Sequence, residues 1–183
     1  AVAAGAEHRS ESLSADSDDV SAAGTAIDGA LLVSSLVESF GKTSVKEMFA
    51  EAGVPLLRDL PLIDALDLNA AVRHTNYQTS GAVTTWKVGL TYEPNDLLRF
   101  RGTRSRDIRA PNLAELFSFS GSVLPANSVF NPFNGVTERL TTTTRGNPFL
   151  TPEIADTVTA GIVFEPTWDG WSGLRASLDF YDI

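Results

Sequence analysis

The sequence predicts an all-β chain: a partial antiparallel transmembrane β-barrel, about seven strands of a larger barrel. Three observations predict it. Segments of about ten residues alternate apolar and polar side chains, the period of a strand with one greasy and one wet face. Their length suits a tilted bilayer crossing, which needs about 9–11 residues, better than a soluble sheet, where about 5–6 is usual. The connections between them alternate, long at one end and short at the other with only the short 78–82 breaking the rule, as in outer-membrane barrels with long extracellular loops and short periplasmic turns.

The first strand is read over residues 1–11, with Val2, Ala4 and Ala6 on one face. Residues 12–43 are rich in Ser, Asp, Gly and Ala and read as a long loop around an apolar patch from Ile27 to Val37. The second strand, 44–58, sets Met48, Ala50, Ala52 and Val54 against Glu47, Phe49 and Glu51. Phe49 breaks the alternation there. Lys46 to Ala52 also suits a helix by propensity, and Pro55 demands an edge, a bulge or a strand end. Arg58-Asp59-Leu60-Pro61 signals a tight turn.

The third strand, 65–77, places Leu66, Leu68, Ala70, Val72 and His74 opposite Asp67, Asn69, Ala71, Arg73 and Thr75. Gln78-Thr79-Ser80-Gly81 closes a hairpin into the fourth, 83–93, where Thr84, Trp86, Val88, Leu90 and Tyr92 share a face. After Pro94-Asn95-Asp96 the fifth, 97–107, opposes Leu98 and Phe100 to Arg99, Arg101, Thr103 and Ser105. Residues 108–152 form a second long loop with five prolines and a repeated Asn-Pro-Phe at 131–133 and 147–149. The sixth strand, 155–165, carries Val158, Ala160, Ile162 and Phe164 on one side, and the seventh carries Leu174, Ala176, Leu178 and Phe180. Trp168-Asp169-Gly170-Trp171 sits in the turn between them.

The totals exclude several classes. The 183 residues contain no cysteine, hence no disulfide scaffold or thiolate metal site. A net charge of −9 argues against a nucleic-acid partner. No apolar run approaches the ~18 residues of a transmembrane helix, while a mean hydropathy near zero is what a barrel averages to. His8 and His74 are the two histidines and share no ligand spacing, so no metal and no cofactor is predicted. No phosphate loop, nucleophile elbow, zinc-protease or dinucleotide motif appears. Catalytic residues are therefore predicted to be none, and the chain is read as no enzyme. Neither a signal peptide nor an initiator Met opens it, and it stops within an alternating pattern, so a fragment is expected.

Arg101-Gly102-Thr103-Arg104-Ser105-Arg106-Asp107-Ile108-Arg109-Ala110-Pro111-Asn112 resembles a late-barrel signature of TonB-dependent outer-membrane receptors. Gly146-Asn147-Pro148-Phe149-Leu150-Thr151-Pro152-Glu153 is similar to that family's run leading into the next strand, and Thr84 to Leu90 and Val54 to Arg73 resemble its hairpins. The resemblance covers about 44–183. It implies a fragment of the barrel domain over 1–183 without its plug, outer-membrane lipid as surroundings, and a small-molecule nutrient ligand such as a siderophore, vitamin, haem or oligosaccharide. It implies contact with TonB only through N-terminal parts outside these residues. Beside it stands a soluble β-rich binding or adhesion module.

Two groups of side chains are candidates. Phe117, Phe119, Phe130, Asn131, Phe133, Asn134 and Arg139 in the long loop could touch ligand, because loops on a rigid scaffold carry recognition. Arg104, Arg106, Asp107 and Arg109 are expected to form a charge network at the rim.

Overall fold

The computed structural model describes residues 1–16, 26–27, 30–31, 35–36, 39–168, 170–171 and 173–183. Seven long strands form one antiparallel sheet. In chain order they are β1 (Val2–Ala15), β5 (Ser39–Leu60), β6 (Ile63–Tyr77), β7 (Gly81–Asn95), β8 (Leu98–Arg109), β11 (Glu153–Phe164) and β12 (Ala176–Asp182). They are neighbours in that order, so the sheet is a meander open at β1 and β12. Two-residue strands β2 (Ala26–Ile27), β3 (Ala30–Leu31) and β4 (Ser35–Leu36) fall in the first long connection. In the second, helix α1 (Leu113–Phe117) precedes a hairpin of β9 (Phe119–Asn131) and β10 (Val136–Arg145). The apolar patch around Ile27 to Val37 lies largely outside the described residues.

Register fixes the two faces. Ala4, Ala50, Val72, Trp86, Arg106 and Asp156 form one cross-strand row, and Val54, Leu68, Leu90, Gly102, Ala160 and Phe180 another. Their face carries the apolar belt. The opposite, inner face carries Glu47, Arg73, Lys87, Arg99, Arg101 and Asp179, whose positions pair with one another's strands in the same parity.

Nothing in the sheet covers the belt: Leu90, Ile162 and Leu178 are 43%, 44% and 77% exposed. A soluble sandwich would have shielded them. Among the described residues the buried large apolar side chains are Val45, Val163 and Leu116, and both strand residues take inner-face parity. A sheet that turns its large apolar side chains outward along a belt, with Glu47, Arg73, Lys87, Arg99, Arg101 and Asp179 on the opposite face, is the wall of a membrane barrel.

Several local expectations resolve in the backbone. Lys46 to Ala52 is strand, because its apolar face belongs to the belt. Phe49 turns inward, lies over Gly5 and sits beneath the Arg73 guanidinium, 5.3 Å from its ring centroid. Pro55 lies at a bulge between Pro55 and Leu57, where a missing N–H costs no ladder bond. The β5–β6 turn is Pro61-Leu62, with Leu62 at φ 64°, and the Tyr92 hydroxyl donates to the Leu62 carbonyl at 2.6 Å. That turn, Asp96-Leu97 and the described residues between β11 and β12 lie at one end of the sheet, whereas Ala15, Ser39, the short turn 78–80, Arg109 and Glu153 lie at the other.

The strands overrun their predicted ends. β1 continues to Ala15, β5 begins at Ser39 and β8 reaches Arg109. The expected loops 12–43 and 108–152 are shorter accordingly, and the second holds a hairpin and a helix. Ion pairs tie inner-face neighbours: Arg9–Glu11 at 2.8 Å, Arg73–Glu47 at 3.2 Å and Arg101–Asp179 at 2.7 Å. Gly161 makes room for the last, since a Cβ there would meet the Asp179 carboxylate. Arg9–Glu11 and Arg101–Asp179 are about half-exposed, so each contributes little to stability, whereas the Glu47 side chain of the Arg73 pair is only 10% exposed.

Candidate functional site

The long-loop end of β8 and β11 is tied by one arginine. Arg109, the last residue of β8, donates from Nη1 to Glu115 Oε1 at 2.9 Å and from Nη2 to Glu153 Oε1 at 2.7 Å. Its Nε also reaches Glu153 Oε2 at 3.1 Å. The planar fork thus joins the end of β8, helix α1 and the start of β11.

Helix α1 is only five residues long, and its ends are satisfied individually. Pro111 precedes it. Asn112 accepts from the Glu115 amide at 2.8 Å while the Glu115 carboxylate accepts from the Asn112 amide at 2.9 Å, a reciprocal cap. At the other end the Asn147 amide donates to the Glu115 carbonyl at 2.8 Å, and Gly146 donates to the Ser118 carbonyl at 2.6 Å. Leu116 is 2% exposed, and Phe117 lies against Gly41 of β5. The two motif segments, 101–112 and 146–153, therefore meet in one knot, with the β9–β10 hairpin projecting from it.

The cap and the arginine hold the Glu115 carboxyl below the usual carboxylate range, and Arg109 does the same for Glu153. The guanidinium is pushed up in turn, chiefly by its hydrogen bonds to Glu153 and Glu115, and stays charged. Depressed folded-state values mean that the contribution of these two groups is fully present above the ordinary carboxylate range and fades as pH falls through the depressed ones. Amides of α1 are expected to stay protected from hydrogen exchange at neutral pH and through the ordinary carboxylate range, and to lose protection only as pH falls below that range. The change should vanish in a Glu115→Gln, Glu153→Gln variant.

The four charged rim candidates take two faces. Asp107 and Arg109 have inner parity; Asp107 accepts from the Ser105 hydroxyl at 2.8 Å. Arg104 and Arg106 have outer parity, and Arg106 grips Asp156 through two bonds of 2.8 and 2.7 Å.

The loop candidates separate likewise. Phe117 and Phe119 belong to the knot: the Phe119 amide donates to Ser39 Oγ at 2.9 Å, and the Arg145 guanidinium lies 4.7 Å from its ring centroid. Phe130, Asn131, Phe133 and Asn134 gather at the hairpin tip. Asn131 Oδ1 accepts from the Phe133 amide and Asn134 Oδ1 from the Val136 amide, each at 3.0 Å, so both asparagines shape the turn. Arg139 takes its place in β10 opposite Ser128, and its side chain lies outside the described residues. The repeated Asn-Pro-Phe builds the same turn twice, for Asn147 accepts from Phe149 at 3.0 Å as Asn131 does from Phe133. Each turn presents its phenyl ring to solvent, Phe133 at 97% and Phe149 at 86% exposure. Phe149 was not among the sequence candidates, although the repeat pointed to it.

Below the rim, the inner face has an open recess of about 380 Å³ lined by Phe49, Arg73, Tyr77, Lys87, Glu47 and Asp107. Its walls offer both signs of charge and two aromatic rings. Among the described residues no group of three His, Cys, Asp or Glu side chains could hold a metal ion.

A family model described as TonB dependent receptor-like, beta-barrel matches residues 3–183. Among solved structures the chain is similar to the siderophore receptor PirA from Acinetobacter baumannii, at 19% identity and a TM-score of 0.58 over 76% of this chain and 18% of that one. It is similar also to the ferric enterobactin receptor PfeA in complex with BCV-L6, at 19% identity and a TM-score of 0.69 over 98% of this chain and 23% of that one. The chain thus spans about a fifth of the length of the receptors it matches. No curated protein sequence matches it.

Proposed function

This chain belongs to the TonB-dependent receptor β-barrel family, and on that premise we propose that it forms part of the wall and rim of an outer-membrane receptor importing a scarce small-molecule nutrient. The observation that carries the reading is the outward apolar belt beneath a braced rim that lifts two exposed phenyl-bearing turns into solvent. A siderophore is the nutrient class to test first, since aromatic rings on rigid turns suit stacking against the aromatic arms of a ferric chelate, and Arg73 and Lys87 in the inner recess supply cations for its negative charge. Energy would come through TonB by way of other parts of the receptor.

The test uses the full-length receptor in detergent or nanodiscs, titrated with ferric siderophores, haem, cobalamin and oligosaccharides. One class is expected to bind. Phe130→Ala with Phe133→Ala should weaken that ligand about tenfold or more, because burying a phenyl ring contributes about 1.5–3 kcal/mol. Unchanged affinity in that variant would remove the hairpin tip from the binding surface, and binding to none of the four classes would overturn the nutrient reading.

A further inference from the structure

Charge is sorted between the two faces of β1, β5 and β6 above the apolar belt. Register puts His8, Lys42, Lys46 and His74 on the outer face, and Glu7, Glu11 and Glu47 on the inner one. The two arginines of these strands above the belt, Arg9 and Arg73, are inward and each is paired with a glutamate. The outward lysines make no ion pair among the described residues. His8 and Lys46 are cross-strand partners, and His74 stands in the next row, opposite Met48. An open groove runs between them, floored by Ala6 and Met48 and bordered also by Asn76 and by Glu7 and Glu47 of inner parity. His74 Nδ1 shares a hydrogen bond with the Thr84 hydroxyl at 2.9 Å, which leaves its Nε2 for a ligand. Directly below, Ala4, Ala50, Ala52 and Ala70 form a low-relief apolar surface that Val72 and Trp86 border. On the described strands β1, β5 and β6 no outward carboxylate stands beside this strip above the belt.

We propose that His8, Lys42, Lys46 and His74 form a site for the phosphate-bearing headgroup of an anionic outer-leaflet lipid, whose acyl chains lie on the alanine surface below. The inference rests on the membrane reading, which puts this strip at the level where headgroups end and hydrocarbon begins. Charge complementarity names the headgroup: two ammonium groups and two imidazoles offer donors, with no outward carboxylate on these three strands above the belt to repel a phosphate. The adjoining apolar surface distinguishes a lipid from a free anion, because a soluble phosphate gains nothing from it.

The full-length receptor in nanodiscs of zwitterionic phosphatidylcholine doped with a phosphate-bearing anionic lipid tests this, with co-purified lipid counted by native mass spectrometry. Wild type should enrich the anionic lipid. Lys42→Gln with Lys46→Gln should weaken that enrichment by about twentyfold, at roughly fivefold per lysine. Lys87→Gln, of inner-face parity, should enrich it as wild type does. Equal enrichment in the double variant overturns the proposal, and so does inorganic phosphate displacing the lipid at millimolar concentration. Failure of the receptor to enter nanodiscs at all would instead refute the membrane reading, so the two outcomes are distinct.

Discussion

Replacing Leu90 by Arg is expected to destabilise the folded receptor by about 2–4 kcal/mol, the cost of a cation facing hydrocarbon near the middle of a bilayer. Leu90 sits within the belt, in the row of Val54, Leu68, Gly102, Ala160 and Phe180, and is 43% exposed among the described residues. Two companions isolate the cause. Thr91→Lys is one residue away but faces inward, in register with Asp67 and Arg101, and should cost little. Ala82→Arg lies on the same face of β7 as Leu90 but above the belt, where the cost should fall to about 0–1 kcal/mol. Urea titrations of the receptor folded into lipid vesicles measure all three. A soluble module gives no dependence on depth, so equal losses at Leu90 and Ala82 would contradict the barrel.

This depth dependence also explains which parts of the fold were legible in the sequence. Within the belt one face meets hydrocarbon and the other water, so the side chains of β6, β7 and β11 had to alternate, and their faces could be read residue by residue. Above the belt both faces meet water. Ser12 and Ser14 in β1, and Thr141 to Thr144 in β10, continue as strand without any apolar contrast to announce it. Hydrogen bonding to a neighbouring strand holds them, and that information lies far away in the chain. Loops were therefore expected where strands continue.

The rim shows the same division. Arg104, Arg106, Asp107 and Arg109 looked like one charge cluster, yet strand parity alone separates even from odd positions, and the structure follows parity. Helix α1 is too short to generate a 3.6-residue signal, but Pro111-Asn112 followed by Glu115 is a capping signature that was present in the sequence. What no local pattern could reveal is that Arg109 would reach Glu153 across 44 residues.

That long reach gives Gly146 an effect out of proportion to its size. A Cβ placed there would stand 2.6 Å from the Leu116 carbonyl carbon and the Phe117 amide nitrogen. Those are backbone atoms of a helix fixed at one end by its reciprocal cap and at the other by the Asn147 and Ser118 hydrogen bonds, so they cannot swing aside as a flexible side chain would. Gly146→Ala is thus expected to push the 146–150 strand lead away from α1, break the Asn147–Glu115 bond and expose Leu116. Limited proteolysis should then cut between residues 110 and 152 at least tenfold faster, while urea stability of the barrel wall stays near wild type. Gly53→Ala provides the contrast: it lies in β5 with no atom near its missing Cβ and no positive φ, and should change neither measurement. If Gly146→Ala leaves the proteolysis rate unmoved, the two motif segments do not brace each other. The hairpin tip would then have to owe its position to something other than the knot beneath it.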